Sequence, residues 1–209
     1  MPEKKPFHVI GFAGKLESGK STASLDAAMF IENHYLLGGS TRILSFAYPF
    51  KKMMMDHFGF TKDQLYTTTG KTQVHPFWNM TVREFMQRFG DGMRKEISYD
   101  VWVKVAELKV KEYEERSQVD RYVRAVIFDD VRMPNEAEMI RRHGGKIIKI
   151  IRPDHEAKTV GIQNHVSEKG IPDELVDFLV INDGNMEKFK TDVCRTVGTF
   201  LPPASSTFL

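Results

Sequence analysis

Gly14-Lys15-Leu16-Glu17-Ser18-Gly19-Lys20-Ser21 satisfies the phosphate-loop pattern G-x-x-x-x-G-K-[ST] at every defined position. Its flanks supply the context that the pattern requires. Phe7–Ala13 is apolar and partly β-branched, which reads as a short buried strand. Thr22–Met29 holds good helix formers, with Leu25, Ala28 and Met29 spaced as one apolar helical face. Glycines let successive backbone N–H groups converge on phosphate oxygens, and the following helix N-terminus adds partial positive charge. Gly14, Lys15, Ser18, Gly19, Lys20, Ser21 and Thr22 are therefore the expected contacts to ATP. Lys20 would reach the β- and γ-phosphates and the Ser21 hydroxyl would ligate Mg²⁺. A nucleotide-binding chain is implied.

The bulk properties narrow the class. With 30 Lys+Arg against 28 Asp+Glu the net charge is only +2, so nothing global points to nucleic acid or a membrane surface. Cys194 is the single cysteine, which excludes an internal disulfide and a cysteine-rich metal site. No apolar run approaches membrane-spanning length, and the basic Met1–Lys5 leads into a strand rather than an apolar leader core. A cytoplasmic location is expected, in the host cytoplasm if the source is a virus.

Further strands are expected at Thr41–Ala47, Tyr122–Phe128, Lys146–Ile151 and Asp177–Ile181. Pro49 should break the first of these before a helix beginning at Phe50. Lys51 and Lys52 then lie past a strand's C-terminal end, where open parallel sheets bind ligands. Residues 59–80 carry no clear periodicity, and Trp78 there reads as a packed side chain. Thr81 and Glu84 have capping-box spacing. Val82, Phe85, Met86 and Phe89 form an apolar face, with Arg83 and Gln87 together on another. Gly90-Asp91-Gly92 should interrupt this helix. A second helix after Asp100 should turn Trp102, Val103, Ala106, Val110 and Tyr113 inward and leave Lys104, Glu107, Lys111 and Glu114 in solvent. The strand ending in Asp129-Asp130 has the Walker B form, in which a carboxylate holds Mg²⁺. A helix follows from Val131 to about Gly144. His165, Ser167 and Glu168 lie in a polar flap and make no metal site. Asn182-Asp183-Gly184 turns into a last helix carrying Met186, Phe189 and Val193 inward, with Cys194 packed.

Strands alternating with helices give an α/β, three-layer P-loop kinase fold around a five-stranded parallel sheet. The expectation is one domain over 1–209. Its core is 6–50, 121–152 and 173–200, with a helical acceptor-binding insertion at 51–120, a short lid at 153–172 and a tail at 201–209.

Several blocks, in order, carry a resemblance: Gly14–Thr22, Ala47–Lys51, Val82–Gly90, Trp102-Val103-Lys104 and Asp130-Val131-Arg132. Asn135-Glu136, Gly144–Pro153, His165–Pro172 and Ile181–Gly184 complete the set. The chain resembles the deoxynucleoside monophosphate kinases of bacteriophages. That resemblance implies transfer of the ATP γ-phosphoryl group to a deoxynucleoside 5′-monophosphate, with Mg²⁺. By position Phe50, Lys51, Arg83, Gln87, Gly90, Trp102, Arg132 and Glu136 would line the acceptor site. Lys20, Asp130 and Arg132 would be catalytic, Ser21 and Asp130 would hold the metal, and Asn182 would face ATP. Two positions depart from the family pattern. Asp91 stands where relatives have Thr, adding a carboxylate near the acceptor. The flap is poor in arginine, leaving Arg152 and Lys158 to supply its charge. Trp102 is favoured over Phe50 as a wall against a ribose 2′-OH; packing in the helical core is its alternative. Rival readings are a small-metabolite kinase such as dephospho-coenzyme A kinase, and a P-loop switch, although the Asn-Lys-x-Asp guanine motif is absent. The expected partners are small molecules alone, and a homodimer is compatible with the sequence.

Overall fold

A computed structural model describes residues 7–34, 40–119, 123–153 and 170–201. Tyr122, Lys158, His165, Ser167 and Glu168 and the tail after Leu201 lie outside the described residues. The strands β1 (His8–Ala13), β2 (Ser40–Leu44), β5 (Val123–Val131), β6 (Lys146–Ile151) and β7 (Phe178–Ile181) form one sheet in the order β2-β5-β1-β6-β7. Every pairing in it is parallel. The expected α/β sheet is therefore present, with β1 at its centre.

Side-chain alternation along β1 divides the core in two. Ile10 and Phe12 pack with Ala23, Ala27, Ile31, Phe189 and Val193 from α1 (Lys20–His34) and α8 (Met186–Gly198). Val9 and Ala13 face the opposite layer, with Val103, Ala106 and Val110 of α6 (Val101–Val119) and Ala137, Met139 and Ile140 of α7 (Pro134–Arg142). Gly11 lies between them, where a Cβ would come within 2.7 Å of both the Ile140 and Ile147 side chains. A side chain there would displace the ends of these isoleucines, so glycine lets α7 sit close to the sheet without repacking.

The helix α1 does not bury the face expected for it. Leu25 and Met29 are 58% and 57% exposed, whereas Lys20, Ala23, Ser24, Ala27 and Ile31 are buried. Lys20 opens the helix and points inward, so the residues three, four, seven and eleven further on must follow it. Small side chains at those positions let the helix approach the sheet.

The second strand is shorter than expected, and Ser45–Ala47 is a turn into α2 (Tyr48–His57), with Pro49 in its first turn. Pro49 thus opens a helix rather than ending a strand. The segment without periodicity folds as α3 (Lys62–Tyr66), α4 (Thr68–Thr72) and the hairpin β3–β4 (Val74–His75, Met80–Thr81). Trp78 packs on Phe58 and donates from Nε1 to the Phe58 carbonyl at 3.0 Å. A third core of Met54, Phe60, Leu65 and Val82 binds these pieces to α5 (Val82–Glu96). Thr81 caps α5 through the Glu84 N–H, while the Glu84 carboxylate pairs with Arg88.

Contrary to expectation, α5 runs unbroken through Gly90-Asp91-Gly92. Each helical glycine costs about 1 kcal/mol relative to alanine, less than the apolar face gains by burial. The strand β5 likewise continues through Asp129-Asp130 to Val131, and Met186 is exposed rather than inward.

Trp102 joins α5 to α6. It is 3% exposed, lies 5.2 Å from the Phe50 ring, and donates from Nε1 to the Gly90 carbonyl at 3.1 Å. Trp102→Leu should therefore cost about 3 kcal/mol through lost packing and a lost hydrogen bond, roughly 6–12 °C in Tm. An unchanged melting curve would contradict this core role.

Candidate active site

The phosphate loop is built at the C-terminal end of β1. Gly14 and Glu17 and Gly19 have φ of 145°, 60° and 105°. A Cβ on Gly14 would meet the Ile150 carbonyl at 2.5 Å, and one on Gly19 the Asn182 Nδ2 at 2.7 Å. Neighbouring strand ends hold the loop: Asn182 Nδ2 donates to the Ser18 carbonyl at 2.9 Å, and Arg152 Nη1 to the Glu17 carbonyl at 3.2 Å. The Lys20 ammonium donates to the carbonyls of Gly14 (2.9 Å) and Lys15 (2.6 Å). Burial and the neighbouring Arg132 guanidinium push its pKa down to about 8.

A cavity of about 700 Å³ opens beside the loop. One side carries Gly19, Lys20, Ser21, Thr22, Arg152 and Asn182; the other carries Phe50, Lys51, Arg83, Gln87, Gly90, Arg132 and Glu136, with Asp130 between. Gly14, Lys15 and Ser18 belong to the loop but do not line the cavity. Neither do Asp91 and Trp102, two of the expected substrate contacts. Trp102 is the layer behind Phe50, so packing and not a wall is its place. Asp91 is engaged with Arg94, at 3.1 Å from its Nη1.

Among the lining residues not expected from the sequence are Lys71, Tyr66, Arg94 and Asp129. Lys71, on the short helix α4, has its pKa lowered to about 8 by burial and by Lys51, Arg83 and Arg132. Tyr66 receives the Lys51 ammonium 4.2 Å over its ring. Arg94 and Asp129 complete the group. Only Asp129 had a sequence signal, as the neighbour of Asp130. Burial lowers the Lys51 pKa as well, with Arg132 adding to it. These shifts have one physical origin: cations gathered in a partly dry space.

The two aspartates at the end of β5 differ in what they hold. Asp130 accepts from Ser45 Oγ (2.5 Å) and from the N–H groups of Phe46 (2.8 Å) and Ala47 (3.1 Å). It thereby fixes the turn that delivers Phe50 and Lys51. Burial and the charge of Asp130 push Asp129 up to about 6. Glu136 is buried and pushed up to about 7 by desolvation, then by Asp130, although its Oε2 accepts from Arg132 N–H (2.7 Å) and Met133 N–H (3.0 Å). Among the described residues no three His, Cys, Asp or Glu side chains form a metal cluster by themselves, and no helix is long and apolar enough to cross a membrane.

A phosphate loop on the central strand of a parallel sheet, facing a cation-rich wall across one cavity, defines a P-loop phosphotransferase. The model of the deoxynucleotide monophosphate kinase family matches residues 51–193, and the chain belongs to that family and is a kinase. A protein of Acanthamoeba polyphaga mimivirus, provisionally named a deoxynucleotide monophosphate kinase, is 26% identical over 210 residues, covering 90% of this chain and 95% of the relative. The deoxynucleotide monophosphate kinase of Escherichia phage RB69 is 29% identical over 121 residues, 57% of this chain and 45% of the phage protein. That of Enterobacteria phage T4 is 27% identical over 118 residues, 56% of this chain and again 45% of the relative.

Asp130→Asn places an NH₂ group among donors, so it should lower stability by about 2–3 kcal/mol. Asp129→Asn, which removes a carboxylate that the fold disfavours in its charged form, should keep or raise the Tm. Equal losses in thermal denaturation would refute this division of labour.

Proposed function

We propose that the protein transfers the γ-phosphoryl group of ATP to a deoxynucleoside 5′-monophosphate, giving the diphosphate and ADP. The observation that carries this reading is that Lys20 and Ser21 share one cavity with Lys51, Lys71, Arg83 and Arg132. One cation suffices to hold a single triphosphate beside a P-loop. A second set across the cavity suits a second phosphate ester brought in line with the first.

The chemistry asks little more of the protein. A nucleoside monophosphate has its second pKa at about 6, so at neutral pH its attacking oxygen is already ionised and no general base is needed. Loop N–H groups and Lys20 would bind and orient the ATP phosphates. Arg83, Lys71 and Lys51 would draw the acceptor phosphate in, and Arg132 would face charge developing between the two. Arg152, Asn182 and Thr22 belong to the donor side; Gln87, Gly90, Phe50 and Glu136 to the acceptor side. Phe50 takes the wall position assigned earlier to Trp102.

The residues present suit Mg²⁺. Ser21 and Asp129-Asp130 line the same cavity, and burial and Asp130 raise the pKa of Asp129 although Lys51 and Lys20 counter them, so a further cation would favour its charged form. Mg²⁺ keeps most of its ligands as water and phosphate oxygens, so one hydroxyl and one or two carboxylates are enough. When bound it would neutralise charge on the phosphate oxygens. The domain plan follows the same division, with a sheet core carrying ATP and residues 51–120 carrying the acceptor; most of the expected lid at 153–172 lies outside the described residues.

A coupled assay of ATP with each dNMP and NMP tests the reading, which fails if no monophosphate accelerates ADP formation. Lys20→Ala should lower turnover by about two to four orders of magnitude with the fold retained. Arg83→Ala and Lys71→Ala should each lower kcat/KM for the acceptor about 10- to 150-fold, the size of a charge-assisted contact, with the KM for ATP nearly unchanged. If the loss appears in ATP affinity instead, these cations serve the donor.

A further inference from the structure

We propose that Lys71 adds carbon dioxide, forming a carbamate that occupies the acceptor end of the cavity until a phosphate ester displaces it. Its consequence for turnover rests on the acceptor reading above, whereas the covalent step does not. Lys71 is set apart from Lys20 and Lys51, which line the same cavity, by what surrounds its ammonium. The Lys20 ammonium donates to the carbonyls of Gly14 and Lys15 at 2.9 and 2.6 Å. That of Lys51 lies 4.2 Å over the Tyr66 ring. The negative charges of Asp129 and Asp130 act on both. The charges acting on Lys71 are those of Lys51, Arg83 and Arg132, all positive. Among the described residues its ammonium makes no hydrogen bond or ion pair.

The backbone keeps the amine there. Gly70 packs so closely that a Cβ on it would come within 2.4 Å of the Asp63 carbonyl, and its N–H donates to Thr67 Oγ1 at 2.8 Å. With α4 pinned in this way, the half-buried Lys71 carries its amine to the cavity. Burial, then the three cations, disfavour the ammonium and push its pKa down to about 8. At pH 7 about one amine in ten is then free base, against fewer than about one in a thousand for an ordinary lysine. A nucleophile among cations favours an electrophile that is neutral on arrival and anionic as product. CO₂ is both.

The step balances without an oxidant or a reductant. The lone pair of Lys71 Nζ attacks the carbon of CO₂. A C–N bond forms, a C=O π pair moves onto oxygen, and the nitrogen gives its proton to water. Counted from the ammonium, the charge at this position reverses from positive to negative. The carbamate oxygens can accept from an arginine fork such as that of Arg83 or Arg132. Repulsion among the cations is thereby replaced with attraction. An acceptor phosphate is drawn by the same cations, so the two anions exclude each other.

The test is ¹³C NMR of the protein in ¹³C-bicarbonate at fixed pH and ionic strength. Trapping with a trialkyloxonium salt and peptide mass then locate the carbamate. Lys71 should carry it with an equilibrium constant about 10-fold or more above that of the α-amino group, the share of a charge-assisted contact. Inorganic phosphate, or a mixture of deoxynucleoside monophosphates, should remove it from Lys71 and not from the α-amino group. Lys71→Arg keeps a cation but offers no free amine, so it should lose the signal. Should that variant fold poorly, the trapped wild-type peptides still decide. In turnover, the CO₂ level that half-fills Lys71 should raise the apparent KM for the monophosphate about twofold with kcat unchanged. The KM of Lys71→Arg should not respond to CO₂. Occupancy at Lys71 no higher than at the α-amino group overturns the proposal. So does a carbamate that phosphate fails to displace, or one that leaves KM unchanged. Absence of turnover with every monophosphate would remove the acceptor reading, while the spectra and the trapped peptides still judge the carbamate.

Discussion

Cations brought together out of water repel one another, and this protein holds Lys20, Lys51, Lys71, Arg83 and Arg132 around a single cavity. Lys20 and Lys71 are both pushed down to about 8, with burial the leading cause in each. That cost must be met by rigid elements, because flexible side chains left to themselves would separate. Asp130 is the principal clamp. Its three hydrogen bonds fix the Ser45–Ala47 turn, from which α2 sets out with Lys51 in its first turns. Glu136 does the same for the segment carrying Arg132 by accepting two of its backbone N–H groups. The carboxylates thus act first on backbone position and only second as counter-charges.

Much of this was legible because it is local. The phosphate loop is a backbone conformation demanded by two glycines, and the φ values of Gly14 and Gly19 are those that only glycine adopts easily. Arg83 and Gln87 meet the cavity together because four residues is one helical turn. The apolar face of α6 followed its period, and Trp102, Val103, Ala106 and Val110 are buried as their spacing implies.

What could not be read depends on distant partners. Lys71 sits in Thr-Thr-Gly-Lys-Thr, five residues with no apolar stripe; its helix exists because Gly70 packs directly against the Asp63 carbonyl. By propensity alone Gly90-Asp91-Gly92 reads as a helix stop, and the aromatic packing of Phe58, Phe85 and Phe89 carries the helix across it. Position alone matched Trp102 to the acceptor site, but a side chain can lie near a site as its support, and here Phe50 stands between. On α1 the inward lysine, not apolar periodicity, set the buried face.

The strand order separates the residues that hold the phosphate loop from those that line the rest of the cavity. The order β2-β5-β1-β6-β7 puts the ends of β6 and β7 on one side of the phosphate loop and those of β5 and β2 on the other. From the first side come Arg152 and Asn182, both bonded to the loop. From the second come Asp129, Asp130 and Arg132, and the turn leading to Lys51. Ligands of open parallel sheets collect where the winding direction reverses, just past the strand ends. Here the sequence leaves the central strand, visits one edge through β2 and the long helical excursion, and returns through β5 before building the other edge with β6 and β7. The side that holds the phosphate loop is therefore made by residues before β2 and after α7, and the other side by those from the end of β2 to the start of α7. Asp129 and Asp130 at the end of β5, and Arg132 just beyond it, line the cavity beside Lys20 and Lys51.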